Sequence, residues 1–249
     1  VPFLKSSDEI KTKPTQHSVK ELRSLGISPD VLICRSDQEL PKDEKNKIAL
    51  FCSVPNDSVI SMHDVETVYS VPLLLHSQMV DKTILKKLKI STKKAQLNDW
   101  RRVVKAKLLP EKEITVSFVG KYTELKDSYK SINEALEHAG IKNKARVNID
   151  FVEAENLTPK NISKTLKNSD AILVPGGFGE RGIEGMILAC KYARINNIPY
   201  LGICLGMQVA IIEYARNVLK LKGANSTEFD LNTKYPVIGL ITEWNDISG

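Results

Sequence analysis

The sequence predicts an α/β protein in which a mostly parallel sheet lies between layers of helices. Three observations predict it. Short apolar runs alternate with segments of helical periodicity along most of the 249 residues. Glycines stand at strand-to-helix turns, most densely in Pro175-Gly176-Gly177-Phe178-Gly179 and in Gly202-Ile203-Cys204-Leu205-Gly206. No internal repeat and no low-complexity tract interrupts the pattern. Strand–helix units of this kind build parallel sheets, because each crossover returns the chain to the edge where the next strand begins.

In the first hundred residues, Val31–Cys34, Ile48–Cys52 and Val59–Ser61 read as strands and short helices separated by polar Pro/Asp/Asn punctuation. The stretch Leu97–Leu108 is amphipathic, with Leu97, Trp100, Val103, Val104 and Leu108 on one stripe. Pro110 and Glu111-Lys112-Glu113 then mark a boundary. The expected organisation is a first domain over 1–92, a linker with the amphipathic helix over 93–113, and a second domain over 114–249. In that domain Ile114–Gly120 reads as a strand and Tyr129–Ala139 as a helix. Ile132, Ala135, Leu136 and Ala139 face inward, and Gly140 is its stop. Further strands are expected at Val147–Val152, Ala171–Val174 and Tyr200–Ile203. They alternate with helices near Thr158–Leu166 and Gly185–Ile195, and a last one runs to about Val218.

Composition narrows the class. With 42% hydrophobic and 27% charged residues the chain reads as a soluble globular protein. No apolar run approaches the roughly eighteen residues of a membrane span, and no signal peptide opens the chain, so no membrane partner and a cytoplasmic location are expected. Four scattered cysteines without a CxxC pair argue against a disulfide framework and a zinc cluster. The net charge of +6 is spread over runs such as Lys42–Lys47 and Lys86–Lys94. Such runs are solvated faces; they leave room for an anionic nucleotide and do not require nucleic acid. The opening Val1-Pro2-Phe3-Leu4 lacks an initiator methionine and Gly249 follows a strand with no closing element, so the chain is expected to be a piece continuing at both ends.

The chemistry concentrates in Gly202-Ile203-Cys204-Leu205-Gly206-Met207-Gln208, which follows the apolar Ile198-Pro199-Tyr200-Leu201 and opens a helical segment. A strand, a Gly-x-Cys-x-Gly turn and a helix describe a nucleophile elbow, where the glycines let the backbone turn sharply and hold the middle side chain out. A sulfur at a helix N-terminus is favoured as thiolate, which is suited to covalent acyl transfer. The plain alternative is a buried structural cysteine, the reading given to Cys34, Cys52 and Cys190. Two glycines at these offsets favour the nucleophile for Cys204. Upstream, Ala171–Val174 ends in the Pro175–Gly179 loop. In a parallel sheet this loop and Cys204 share one edge, and side-chain-free glycines let backbone N–H groups serve as an oxyanion hole. Alone, the loop is an ordinary glycine-rich turn.

These two motifs resemble those of the class I glutamine amidotransferases. Two further segments, Lys11–Arg23 and Ala224–Asp230, resemble CTP synthase, as do Cys34-Arg35-Ser36-Asp37 and Lys47–Cys52. The bacterial form is the closer likeness, and it covers essentially the whole chain. The resemblance implies the end of a P-loop-like α/β amidoligase domain followed by a three-layer α/β/α amidotransferase domain. ATP would phosphorylate the 4-oxygen of UTP, and ammonia released from L-glutamine would displace the phosphate. By position, Cys204 would form the glutamyl thioester. Gly177 and the Leu205 N–H would hold the oxyanion, and Gly206 and Met207 would belong to the same oxyanion and glutamine-binding site. Gln208 and Glu228 would bind the amino-acid end of glutamine. Lys11, Thr12, Lys13, Pro14, Thr15, Gln16 and Lys47 match positions that hold UTP or the feedback inhibitor CTP. Arg35, Asp64 and Val65 match the ATP adenine pocket. Arg181 and Glu184 fall where a GTP-activated lid sits. The resemblance also implies Mg2+, GTP as activator and a homotetramer.

Some of these residues have plainer readings. Lys11 and Lys13 alone read as exposed surface, Glu228 as part of a Ser-Thr-Glu helix cap, and Arg181 and Glu184 as a surface loop. The sequence also departs from the family. The histidine base of the thioester route follows the nucleophile in this fold, yet His17, His63, His76 and His138 all precede Cys204, so the His-x-Glu pair is expected beyond Gly249. No G-x-x-x-x-G-K-[ST] loop occurs, so the phosphate loop and magnesium carboxylates are expected outside the chain too. Rival readings are an amidotransferase of another pathway, an unrelated cysteine hydrolase, and a catalytically incomplete interaction or filament subunit.

Overall fold

In a computed structural model the chain forms two compact units, Val1–Leu109 and Pro110–Gly249. The structure describes residues 1–239 apart from Lys5, Ser7, Asp8 and 122–125, and the backbone but not the side chains of Lys126 and Asp127.

The first unit opens with the antiparallel pair β1 (Phe3–Leu4) and β2 (Glu9–Ile10), followed by α1 (Lys13–Ser24). The parallel pair β3 (Leu32–Ser36) and β4 (Val59–His63) runs in register from Leu32↔Val59 to Ser36↔His63. Helix α2 (Lys42–Cys52) connects them. Ile48–Cys52 is therefore the apolar end of a helix. Its inward residues Ile48, Ala49 and Cys52 pack with Val19, Cys34, Leu40 and Val59 into one core. Helices α3 (Val71–Ser77), α4 (Val80–Leu88) and α5 (Asn98–Leu108) complete the unit. Trp100 of α5 donates its ring N–H to Tyr69 O at 2.6 Å. Between α3 and α4, the Gln78 side chain reaches the edge of β4: its Oε1 accepts Ser61 N–H at 2.9 Å and its Nε2 donates to Ser61 O at 2.8 Å.

The second unit is a four-stranded parallel sheet in the order β6-β5-β7-β8, made of β5 (Lys112–Gly120), β6 (Ala145–Glu153), β7 (Ala171–Val174) and β8 (Tyr200–Gly202). Helices α6 (Lys130–Lys142), α7 (Ile162–Thr165), α8 (Ile183–Ile195) and α9 (Leu205–Asn217) follow the strands in turn. The short parallel pair β9 (Asn225–Ser226) and β10 (Pro236–Ile238) comes last. Alternation along the buried strands separates the layers. Val119, Ile172 and Val174 pack with α8 and α9, whereas Val116, Phe118 and Leu173 pack with Ile132 and Leu136 of α6. The expected three-layer α/β/α arrangement is thus present. The span 93–113 contains the expected helix, as α5, and ends in the first residues of β5.

Helix α6 departs from expectation in one respect. Gly140 does not stop it; the helix runs on to Lys142, and Ala135 and Ala139 are exposed. The reason is a close approach, because a Cβ on Gly140 would lie 2.6 Å from Ala145 O. The helix therefore turns Gly140, Leu136 and Ile132 to the sheet, four residues apart along one stripe. Among the described residues, no helix is long and apolar enough to cross a membrane.

Candidate active site

Strand order β6-β5-β7-β8 places a topological switch between β5 and β7, where crossovers leave to opposite faces and the strand ends open a crevice. Three chain segments meet along that edge: Lys121 after β5, the Pro175–Gly182 loop after β7, and Ile203-Cys204 after β8.

Cys204 sits at φ 53°, ψ −103°, a strained conformation for a side chain with a Cβ, and it is exposed while Cys34, Cys52 and Cys190 are buried. Two glycines make the turn possible by close approach. A Cβ on Gly202 would lie 2.4 Å from Gly206 C and O, and one on Gly206 would lie 2.1 Å from Val174 O. The Tyr200 hydroxyl donates to Gly206 O at 2.8 Å, tying β8 to the first turn of α9. In that turn Gly206 N–H donates to Ile203 O and Met207 and Gln208 N–H to Cys204 O. Leu205 is the first residue of α9, and a helix start leaves its first amides without an intrahelical partner.

The glycine loop lies against this elbow. The position of a Cβ on Gly176 falls 3.6 Å from the Cys204 Cβ, and that of Gly177 falls 3.3 Å from Leu205 Cδ2. The structure thus brings Cys204, Gly177 and Leu205 together. Glu228 joins them through a hydrogen bond in which its Oε1 accepts Gly179 N–H at 3.1 Å. It lies in a turn after β9 and caps no helix. Met207 is exposed beside the elbow and Gln208 half-buried. Arg181 pairs with Glu155 at 2.6 Å and Glu153 at 3.6 Å, and Glu184, in the first turn of α8, pairs with Arg216 at 2.8 Å.

One residue of this edge escaped sequence reasoning. Lys121 is buried at 3% exposure, and its ammonium donates to Phe178 O at 2.8 Å and Gly179 O at 2.6 Å. Burial holds its pKa below the usual lysine value, and the Arg181 charge adds to this, while Glu228 and Glu155 oppose it. The available signal was a Gly-Lys pair at the carboxyl end of a buried strand next to the switch point.

No histidine of this unit reaches the sulfur. His138, its single histidine, is exposed on α6. That helix packs on β6, and β6 and β8 lie at opposite edges of the sheet, three strand spacings or about 14 Å apart.

In the first unit the nucleotide candidates gather at two places. Lys11 forms an ion pair with Glu9; its hydrogen bond and charge depress the Glu9 carboxyl pKa, and Lys47 contributes to the same shift. Lys47 itself pairs with Glu44 at 3.8 Å. Thr12 is buried and accepts a hydrogen bond from Gln16 Nε2 at 3.1 Å, while Lys13 and Pro14 open α1 and Thr15 is half-buried beside them. At the carboxyl ends of β3 and β4, Arg35 and Asp64 form an ion pair, with Val65 half-buried next to it.

Comparison with known proteins agrees with this geometry. Residues 124–235 match the family described as glutamine amidotransferase class-I, and residues 1–90 match the CTP synthase N-terminus. A solved structure of Trypanosoma brucei CTPS, its glutaminase domain with bound acivicin, is similar at a TM-score of 0.50 and 40% identity, over 55% of this chain and 53% of that one. The parallel sheet, the cysteine elbow and the loop over it define a class I glutamine amidotransferase domain. Joined to the N-terminal match, they fit a piece of a CTP synthase. The chain spans about half the length of that relative.

Proposed function

We propose that the protein takes part in glutamine-dependent amination of UTP to CTP, with Cys204 as the nucleophile that releases ammonia. The observation that carries this reading is an exposed cysteine at a strained φ of 53° and a helix start, with Gly177 against Leu205 beside it. The thiolate attacks the side-chain amide carbon of glutamine, and the carbonyl electrons move onto oxygen, where the Gly177 and Leu205 amides stabilise them. Collapse of this intermediate expels ammonia, which takes up a proton on leaving, and leaves a glutamyl thioester; water then releases glutamate and restores the thiol. Gln208 and Glu228 hold the amino-acid end of the substrate. The proton donor and base of this sequence are assigned to none of the described residues.

In the first unit, Lys11, Lys13 and Lys47 neutralise the triphosphate of UTP or of CTP acting as inhibitor, and Gln16 reads its polar groups. Arg35, Asp64 and Val65 take the ATP adenine. Magnesium would supply charge neutralisation for the ATP phosphates, and its ligands are assigned to none of the described residues; GTP as activator and a homotetramer belong to the same reading.

The test is Cys204→Ala in the full-length protein. Glutamine-dependent CTP formation should fall by orders of magnitude while formation from added ammonia persists. An equal loss of both activities in a folded variant would overturn the division of labour.

A further inference from the structure

The glycine loop has little of its own to hold it in shape. Gly176, Gly177 and Gly179 carry no side chain, Gly179 stands at φ 75°, and Phe178 projects into solvent at 88% exposure. A segment this free would spread its amides over many orientations. An oxyanion hole needs them fixed before the reaction, because donors that must reorganise lose most of their advantage.

The restraint comes from outside the loop. The peptide group joining Phe178 to Gly179 is gripped at both ends: its carbonyl accepts from Lys121 Nζ, and its N–H donates to Glu228. Lys121 also takes the next carbonyl, Gly179 O, so one ammonium fixes two successive peptide planes. The side chain rises from the end of β5, directly beside β7 in the sheet, so the anchor belongs to the rigid core rather than to another loop. An ammonium is well suited to this task, since it carries three donors and no acceptor and can serve two carbonyls at once.

We infer that Lys121 is a positioning residue for glutamine hydrolysis: it holds the Phe178–Gly179 backbone so that Gly177 stays set against Leu205 beside Cys204. The inference rests on the glutaminase reading above and adds to it a residue that touches neither substrate nor sulfur. Glu228 has a second consequence within it. The carboxylate assigned to the substrate ammonium also holds the loop from the other side, so Lys121 keeps the loop in place when glutamine draws on Glu228.

The experiment compares wild type, Lys121→Met and Lys121→Arg in the full-length protein. Glutamine hydrolysis gives kcat and KM. Alkylation of Cys204 by iodoacetamide, which requires the thiolate but no oxyanion hole, reports on the elbow alone. Lys121→Met should lower kcat about 10- to 100-fold, short of the roughly 10²–10³-fold cost of deleting an oxyanion donor outright. KM should change less than kcat, the alkylation rate should stay within about twofold of wild type, and Lys121→Arg should recover part of kcat. A kcat for Lys121→Met within twofold of wild type would overturn the inference. So would a parallel fall in alkylation, which would mean that the elbow itself had collapsed. Wild-type protein that cannot hydrolyse glutamine would instead sink the glutaminase reading, and the role of Lys121 with it.

Discussion

Arg194 and Glu213 join α8 to α9 by a two-pronged ion pair, with Nε to Oε2 at 2.9 Å and Nη2 to Oε1 at 2.7 Å. Glu213 is 1% exposed, while Arg194 keeps more than a third of its side chain in solvent. The pair joins the C-terminal halves of two helices that cover one face of the sheet, with the Cys204 elbow at the N-terminus of α9.

Removing the arginine leaves a buried carboxylate without a partner. Arg194→Met should therefore destabilise the second unit by about 3–5 kcal/mol. Replacing both members, as in Arg194→Met with Glu213→Leu, should restore most of the loss. Urea unfolding of the single and double variants measures this; additive losses would mean that the charges do not act as a pair.

Gly140→Ala should cost stability although alanine is the better helix former. The added methyl would stand 2.6 Å from Ala145 O, so α6 must move off β6. A loss of about 1–3 kcal/mol is expected, as for an overpacked core. Thermal unfolding checks it, and an unchanged or raised midpoint would return Gly140 to the role of a simple helix stop.

The thiols should divide cleanly in the native protein. Burial raises the pKa of Cys34, of Cys52 and of Cys190, the last from 9.0 to about 12 with help from the Glu213 charge. Native alkylation near pH 8 should modify Cys204 alone, and the denatured chain should yield all four cysteines. Peptide mapping after brief labelling decides it.

The same burial gives stability a pH dependence of known sign. Cys190 keeps its proton in the fold when the unfolded chain has lost it. Its contribution is intact below pH 9.0 and declines as the pH rises towards about 12. Cys190→Ala should therefore flatten the alkaline fall in stability by about one proton over that window. Identical slopes in wild type and variant would show that other groups carry it.

Lys47→Ala and Lys13→Ala should each weaken UTP and CTP binding by about 1.5–3 kcal/mol, the range for a hydrogen bond to a charged group, and leave glutamine hydrolysis unchanged. Calorimetric titration with CTP tests this. Unchanged affinity in both variants would make the lysines solvated surface.

Much of this architecture was readable beforehand because it rests on local rules. Gly-x-Cys-x-Gly between an apolar run and a helix has one economical backbone solution, and Ala171–Val174 emerged as β7 with the limits expected of it. What was not readable depends on partners distant in sequence. Ile48–Cys52 was ambiguous because five apolar residues suit a buried strand or a helix end alike, and the decision came from packing against Val19 and Val59. Gly140 carries the signature of a helix stop whether or not a strand passes close by. Lys121 looks like any of the chain's other basic residues until the 178–179 backbone, 57 and 58 positions away, folds over it.

The side chain of Gln78 decides how the small sheet of the first unit can grow. By accepting from Ser61 N–H and donating to Ser61 O, its amide imitates a neighbouring strand and occupies the outward-facing groups in the middle of β4. That border is closed to strand addition there. The amide of one glutamine thus makes the outer border of β4 unlike an ordinary strand edge, its middle already paired by a side chain.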